Sequence, residues 1–238
     1  MTDEHVGEAQ TDERLLELLG SMALELSDTG DLQETMQRVV DLAENVLEHC
    51  DGVSLMLISK GGKIETPASS SQTAYDSDMA QYETGEGPCL DAIRDHRTIM
   101  MNDLAQDDRW PDYRARALEL GVRSMLSVRL FVSDDSMGAL DLYSREPDAF
   151  DQRSQAIAQV FAIHASIAVK AALTVAGLEM VISSRDIIGQ AKGIVMSRHR
   201  VTANMAFEVL RTLSQQRNQP VRDLAREIAE TGQIPRSR

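Results

Sequence analysis

Cysteine, aromatic residues and positive charge are all scarce in this sequence of 238 residues. The two cysteines, Cys50 and Cys89, lie far apart and have no neighbouring histidine–cysteine cluster. This excludes a disulfide-stabilised scaffold and a zinc-finger module, and we expect both thiols to be reduced. Aromatic residues make up 4% of the chain, whereas there are 12 methionines, which indicates a core of flexible aliphatic side chains.

Targeting signals are also missing from the sequence. Residues 1–4 are acidic rather than basic, which excludes a typical signal peptide, and we find no apolar run near the roughly 20 residues that cross a bilayer. We therefore expect a cytoplasmic protein without a membrane span. The length and the 42% hydrophobic content fit two ordinary globular domains.

No arrangement of residues typical of catalysis is present. Gly85 and Gly87 form a G-x-G sequence, but no phosphate-loop lysine follows them, and neither a nucleophile–base set nor metal-ligand spacing can be named. We therefore expect no enzyme activity, no metal site and no evident cofactor.

Charge is distributed unevenly along the chain, whose formal net charge is -14. Residues 178–238 contain ten Lys/Arg and six Asp/Glu, a net charge of +4. The preceding residues contain 14 basic and 32 acidic residues, a net charge of -18. This asymmetry is typical of a protein in which one module approaches phosphates, although a solvated basic helix would also produce it.

The first part of the chain alternates between helix and strand patterns. We predict a helix from Asp12 to Leu26, a second one opened by Asp31, and then an antiparallel hairpin from two short apolar runs. Helix, strand and helix patterns follow. The predicted segments are residues 53–59 and 64–68 for the first hairpin, 74–82, 88–92 and 107–120 for helices, 98–102 for a strand, and 122–132 with 136–143 for a final hairpin.

A continuous helical pattern then runs from about Gln152 to Arg198, with apolar residues every three or four positions and no proline. Such a helix would extend roughly 70 Å, at about 1.5 Å per residue, and one domain cannot cover its apolar stripe. We therefore predict a parallel homodimer through residues 152–198, with Gly177 as a hinge between two modules. Two short helices follow, one capped by Thr202 and one that starts after Pro220.

Residues 174–231 resemble the ANTAR family of bacterial RNA-binding transcription antiterminators. The resemblance rests on segments 185–196 (RDIIGQAKGIVM), 206–211 (AFEVLR) and 222–225 (RDLA), with Ser214 and Asn218. It implies binding to nascent messenger RNA that carries two adjacent hairpins, which keeps a terminator stem from forming. The RNA-binding residues that it implies are Ala191, Lys192, Gly193, Met196, Arg211 and Ser214.

Residues 31–172 resemble a GAF sensory domain of the type attached to ANTAR tails in actinobacteria. The resemblance rests on segments 85–92 (GEGPCLDA), 109–111 (RWP) and 138–143 (GALDLY). It implies an α+β fold, an antiparallel sheet flanked by helices, joined by a long coiled-coil helix to a three-helix ANTAR domain. Gly87, Cys89, Arg109 and Trp110 are candidate residues for an unidentified small-molecule ligand.

The expected organisation is an N-terminal extension and helix (1–30), a GAF domain (31–172), an ANTAR domain (173–232) and a tail (233–238). We expect the GAF domain to control RNA binding through the packing or register of the long helix. Two other functions remain open at this stage. The helical tail could bind a partner protein, or its helices could form a DNA-binding helix-turn-helix.

Overall fold

The computed structural model describes residues 20–21, 24–26, 30–47, 49–59, 61–95, 97–133 and 136–235. The chain divides into two compact units, Met1–Leu173 and Thr174–Arg238, called here the first and second units. Most of the helix predicted from Asp12 to Leu26 lies outside the described residues. Leu26 itself is buried in the core of the first unit.

The first unit is built on one antiparallel sheet with helices before, between and after its strands. Its elements in chain order are α1 (Leu32–Val46), β1 (Gly52–Ile58), β2 (Ile64–Ser69), α2 (Gln72–Thr84), α3 (Pro88–Arg94), β3 (Ile99–Met101), a 3-10 turn (Leu104–Gln106), α4 (Pro111–Glu119), β4 (Ser124–Ser133), β5 (Ser136–Ser144) and the first part of α5 (Gln152–His199).

The five strands are arranged in the order β2-β1-β5-β4-β3. Both predicted hairpins are present, since β1 pairs with β2 and β4 pairs with β5, each antiparallel. Strand β5 also pairs with β1, from Gly52 opposite Tyr143 to Ile58 opposite Met137. This pairing places β5 in the centre of the sheet, next to a strand that lies far away in the sequence.

Alternation of side chains gives the sheet two buried faces. Val53, Leu55, Leu126 and Leu140 lie on the first face and pack with α1 and with Phe161 of α5. The second face packs with α2, α3 and α4 through Met56, Met125, Ala139 and Tyr143. Strands buried on both faces read as nearly continuous apolar runs, which explains why the sequence pattern here is not a simple alternation.

Gly138 allows the closest approach between the two central strands. A Cβ atom on this residue would lie 2.8 Å from the carbonyl oxygen of Met56. No other residue type has room there, so this glycine is required by the pairing of β1 with β5.

Helix α5 covers Gln152–His199 without interruption and passes through Gly177, as the apolar pattern predicts. In its first part, Ala158, Phe161, Ala165 and Val169 belong to the core of the first unit. By length and composition alone, α5 could cross a membrane, since one window has a mean hydropathy of 1.7. The expectation that no segment is apolar enough is therefore wrong. Core helices of soluble proteins meet the same criterion, so this is weak evidence for a span.

The second unit contains residues 174–199 of α5, α6 (Ala203–Arg217) and α7 (Val221–Thr231). Thr202 caps α6 by accepting a hydrogen bond from the Met205 amide, and Asn218 ends the helix in the left-handed conformation. The three helices enclose their own small core. It consists of Ala191, Val195, Ala206, Leu210, Leu213, Leu224, Ala225 and Ile228.

Candidate nucleic-acid interface

An open groove of about 1210 Å³ lies on the second unit, between residues 185–201 and helix α6. Residues after α7 border it as well. Its lining residues are Arg185, Ile188, Gly189, Lys192, His199, Val201, Asn204, Met205, Phe207, Glu208, Val209, Thr212, Leu213, Gln216, Ile234 and Pro235.

One edge of the groove carries a row of basic side chains. Arg185, Lys192 and His199 follow one another at intervals of seven residues on α5, so they share one helix face at a spacing of about 10.5 Å. In the part of the second unit that the structure describes, none of the three forms a salt bridge, whereas Arg211 and Arg217 both do. The row is therefore free to bind an external anion.

The opposite edge, on α6, offers an aromatic ring and uncharged polar groups. Phe207 is exposed to 39%, although it is a large apolar side chain. Asn204, Thr212 and Gln216 of α6 also line the groove and can donate and accept hydrogen bonds. A groove that combines a ring, amide and hydroxyl groups with basic side chains suits a ligand that has both phosphates and unpaired bases.

Two exposed glycines lie on α5: Gly189, which lines the groove, and Gly193, four residues further along the helix. A Cβ atom at either position would meet no other atom within 4 Å. The packing of this chain therefore does not require glycine there, although each glycine costs the helix about 1 kcal/mol relative to alanine. The exposed backbone can be approached closely by something outside the chain.

The structure assigns Ala191 and Met196 to packing. Ala191 is fully buried in the three-helix core, so the prediction that it lines an RNA-binding surface is wrong. Its methyl group faces α6 and α7 because the core needs a small residue where three helices meet. Met196 is partly buried against the same core, whereas Lys192, one position after Ala191, reaches the groove.

Arg211 and Ser214 do not line the groove and already have partners. Arg211 pairs with Glu208 at 2.9 Å, an exposed salt bridge of small energetic value. Ser214 donates a hydrogen bond to the carbonyl oxygen of Gln219 at 2.6 Å and so fixes the turn between α6 and α7. Contact between these two residues and RNA remains a prediction.

The groove also contains residues that the sequence argument missed. Arg185 and His199 precede and follow Lys192 by seven positions, and this spacing was visible in the sequence. Phe207 was quoted only as part of the family motif. Its exposure could not be inferred, because an aromatic residue within an apolar helix pattern usually belongs to the core.

In the first unit, Arg109 and Trp110 have structural roles. Trp110 is buried, and its indole nitrogen donates to Asp91 Oδ2 at 2.9 Å. The Arg109 guanidinium lies 4.1 Å from the centre of the indole ring and also binds Asp107. This arrangement fixes the start of α4. Contact of either residue with a small-molecule ligand remains a prediction.

Gly87 and Cys89 lie beside a buried polar network. A Cβ atom on Gly87 would meet the Gln81 side chain at 2.2 Å, and its φ of 147° also favours glycine. The Cys89 amide donates to Gln81 Oε1 at 2.9 Å, and Gln81 Nε2 donates to the Tyr143 hydroxyl at 3.3 Å. Burial raises the pKa of the Cys89 thiol well above its ordinary value, so the group is neutral.

Solved structures similar to this chain contain GAF domains or related folds. The GAF domain of a phosphoenolpyruvate-protein phosphotransferase from Coxiella burnetii aligns with a TM-score of 0.54 and 18% identity, covering 68% of this chain and 96% of that one. The corresponding Acinetobacter domain aligns with a TM-score of 0.53 and 14% identity, covering 67% of this chain and 95% of that one. The free methionine-R-sulfoxide reductase of Neisseria meningitidis aligns with a TM-score of 0.51 and 16% identity, covering 68% of this chain and 91% of that one. At these identities the likeness shows the fold alone.

Comparison with curated proteins gave no significant match. Family models do match, one described as a GAF domain over residues 29–170 and one as an ANTAR domain over residues 176–228. GAF domains are signal sensors and ANTAR domains are RNA-binding antiterminator regulators, so this pairing indicates a regulatory protein rather than an enzyme. Neither match confirms the actinobacterial type. The chain therefore belongs to the GAF domain family, and its GAF domain is followed by an ANTAR domain.

Proposed function

We propose that this protein binds a nascent messenger RNA with two adjacent hairpins and, by stabilising them, prevents a terminator stem from forming. The observation that carries the proposal is the groove of the second unit, which Arg185, Lys192 and His199 line together with the exposed ring of Phe207. The basic side chains can bind phosphates, and the ring can stack on an unpaired base. An RNA hairpin loop presents phosphates and unpaired bases close together.

Loop bases are the part of such an RNA that a protein side chain can reach. The major groove of an RNA duplex is deep and narrow, whereas loop bases are unstacked and expose their edges. Asn204 and Gln216 carry amides that can pair with those edges, and Thr212 adds a hydroxyl. The groove therefore supports recognition of loops rather than of duplex.

Net charge favours contact through the second unit. Residues 178–238 carry +4 and the rest of the chain -18, so electrostatic attraction to RNA is limited to this part of the protein. The DNA-binding alternative gains no support from this distribution, because the same charges would attract either nucleic acid. The exposed ring and the amide groups favour unpaired bases.

Two hairpins require two binding surfaces, and we propose that a second copy of this chain supplies the other one through α5. Exposed residues follow at intervals of three and four on this helix: Ile167, Ala171, Val175, Leu178 and Ile182. Apolar residues at this spacing form the seam of a coiled coil. Linking two grooves in one dimer raises the affinity for paired hairpins without any new contact.

The GAF domain would act on RNA binding through the same helix. In its first part, Phe161 and Val169 of α5 are buried in the core of the first unit, and Lys192 on the same helix lines the groove. A ligand that changes the packing or register of α5 would therefore change how the two grooves are presented. Equal RNA affinity of the full chain and of a dimeric fragment starting near Val175 would argue against this control.

The test of RNA binding uses the full chain and the RNA that co-purifies with it. We expect Lys192→Ala to weaken RNA binding by about tenfold, since one phosphate contact is lost. The slope of log affinity against log salt concentration should become less steep by about one. Arg226→Ala is the matched control, because Arg226 lies outside the groove, on α7, and is half-exposed near Asp223. It should bind within about twofold of wild type.

Equal affinity of the wild type and the Lys192 variant would overturn the proposal, provided that circular dichroism shows both to be folded. The alternative function, a helical tail that binds a partner protein, predicts that no specific RNA co-purifies. In that case, a partner protein that co-purifies with the wild-type chain in a one-to-one ratio and is lost from the Phe207→Ala variant would identify the groove as a protein-binding site.

A further inference from the structure

A buried polar cluster in the first unit lies between the second face of the sheet and helices α2 and α3. Asp78 belongs to α2, Cys89 to α3 and Asp141 to β5, and all three side chains are fully buried. One carboxylate oxygen from each aspartate and the sulfur of Cys89 lie within 4.8 Å of one another. Three separate elements thus bring three metal-ligand atoms together.

The hydroxyl groups that bind the two carboxylates leave one oxygen without a strong donor. Asp78 accepts from the Tyr143 hydroxyl on Oδ1 and from Thr66 Oγ1 on Oδ2, the latter at 2.7 Å. Asp141 accepts from Ser127 Oγ on Oδ1. Its Oδ2 is buried and, within the described part of the chain, receives no hydrogen bond from a nitrogen or oxygen donor, so the Cys89 thiol is the one further donor to this carboxyl. Because a thiol is a weak donor, a buried carboxylate oxygen left to it is costly, and this atom indicates a ligand that is not part of the protein.

No protein cation compensates the cluster. Among the residues that the structure describes, neither Asp78 nor Asp141 forms a salt bridge with a lysine, arginine or histidine. A metal ion bound here would draw two carboxylates and a thiolate together at a buried site, where its positive charge offsets their negative charges.

We propose that Asp78, Cys89 and Asp141 bind a first-row divalent transition-metal ion of the Zn²⁺ or Fe²⁺ class. A thiolate ligand favours these ions over Mg²⁺ and Ca²⁺, which prefer oxygen ligands alone. The ion supplies the missing positive charge and bonds to Asp141 Oδ2. Three protein ligands leave one position open in a tetrahedral site, as in sites where water or a small molecule completes the coordination.

The surroundings suit such a site. Bonds of about 2.3 Å to sulfur and about 2.0–2.2 Å to oxygen place tetrahedral ligand atoms about 3.4–3.6 Å apart. Since the three atoms lie within 4.8 Å of one another, binding would draw them together by about 1.4 Å at most. Thr66, Ser127 and Tyr143 hold the carboxylates by hydrogen bonds, as groups behind metal ligands commonly do. The inference does not depend on RNA binding.

Cobalt provides a direct test with the full chain. Protein stripped with a chelator and titrated with Co²⁺ should bind one ion per chain and develop the near-ultraviolet absorption of a thiolate–Co²⁺ bond. Zn²⁺ should bleach this absorption and raise the melting temperature. Cys89→Ser should abolish the absorption, and Asp141→Asn should weaken Co²⁺ binding by at least about tenfold. Cys50→Ser removes the only other thiol and should leave the spectrum unchanged.

Two results would overturn the metal site. One is the absence of both the thiolate–Co²⁺ absorption and a Zn²⁺-dependent melting shift in the wild-type chain, which needs no variant to fold. The other is an absorption that disappears in Cys50→Ser rather than in Cys89→Ser. A cluster stabilised only by shared protons would give the first result, because chelators and metals would then leave the melting temperature unchanged.

Discussion

Replacing Gly193 by alanine should stabilise the second unit and weaken RNA binding at the same time. The residue is exposed on α5, and an added Cβ atom would meet nothing within 4 Å. Alanine should therefore restore the helix propensity that glycine loses, about 0.8–1.0 kcal/mol. For a unit of this size, that corresponds to a rise of roughly 4–8 °C in its melting temperature, as measured by calorimetry on the full chain.

The same methyl group should interfere with RNA if the backbone at Gly193 lies against it. We expect the dissociation constant for the co-purified RNA to increase about tenfold, which corresponds to about 1.4 kcal/mol. Gly177→Ala is the matched control, since Gly177 is also helical and exposed with no atom within 4 Å of an added Cβ. It should produce a similar stabilisation with unchanged RNA affinity.

A stabilised Gly193→Ala protein that binds RNA as well as wild type would refute the contact with RNA. Gly189 and Gly193 also continue the three-and-four spacing of the exposed residues from Ile167 to Ile182. If a second copy of the chain lies against these glycines, the variant would dissociate into monomers before RNA is added. Light scattering on the variant without RNA distinguishes these two outcomes.

Three further predictions concern the dimer, a thiol and the sheet. Leu178→Asp should raise the dimer dissociation constant at least about 100-fold, since Leu178 is 59% exposed and belongs to none of the described cores. Ser183→Asp should leave the dimer intact in light scattering. Burial raises the pKa of the Cys50 thiol from 9.0 to about 11. Alkylation of Cys50 at pH 8, followed by mass spectrometry, should therefore be about 100-fold slower in the folded than in the denatured protein. Equal alkylation rates would contradict the burial of this thiol. Gly138→Ala should destabilise the first unit by about 1–3 kcal/mol in urea unfolding, because the added methyl group would lie 2.8 Å from the Met56 carbonyl oxygen. Unchanged stability would mean that strands β1 and β5 can move apart to make room for it.

Local patterns predicted the helices and hairpins well. Thr202 caps α6 and the apolar spacing of α5 continues to His199, as the sequence indicates, because capping and helical periodicity depend on residues a few positions apart. The pairing of β1 with β5 was not predicted. Such a pairing depends on which strand edges meet after the whole unit has folded.

The candidate RNA surface was predicted in part. The motif indicated Lys192, which lines the groove, and Gly193, which is exposed, and contact of either residue with RNA remains a prediction. It also placed Ala191 on the surface, whereas the core encloses it. Neighbouring residues on a helix point in directions about 100° apart, so a linear motif cannot separate a ligand contact from a packing residue. Only the positions of α6 and α7 relative to α5 make that distinction.

The sequence by itself determined the two-module organisation, the basic end of the chain and the long apolar helix, because composition, charge and periodicity are properties of short segments. The tertiary structure alone decided which residues share a site. It brought Arg185 and Lys192 to one groove with Phe207. It also buried Asp78 and Asp141 beside Cys89, three residues whose sequence spacing suggested no metal site. Contacts between distant residues follow from the packing of the sheet and helices, which no local pattern specifies.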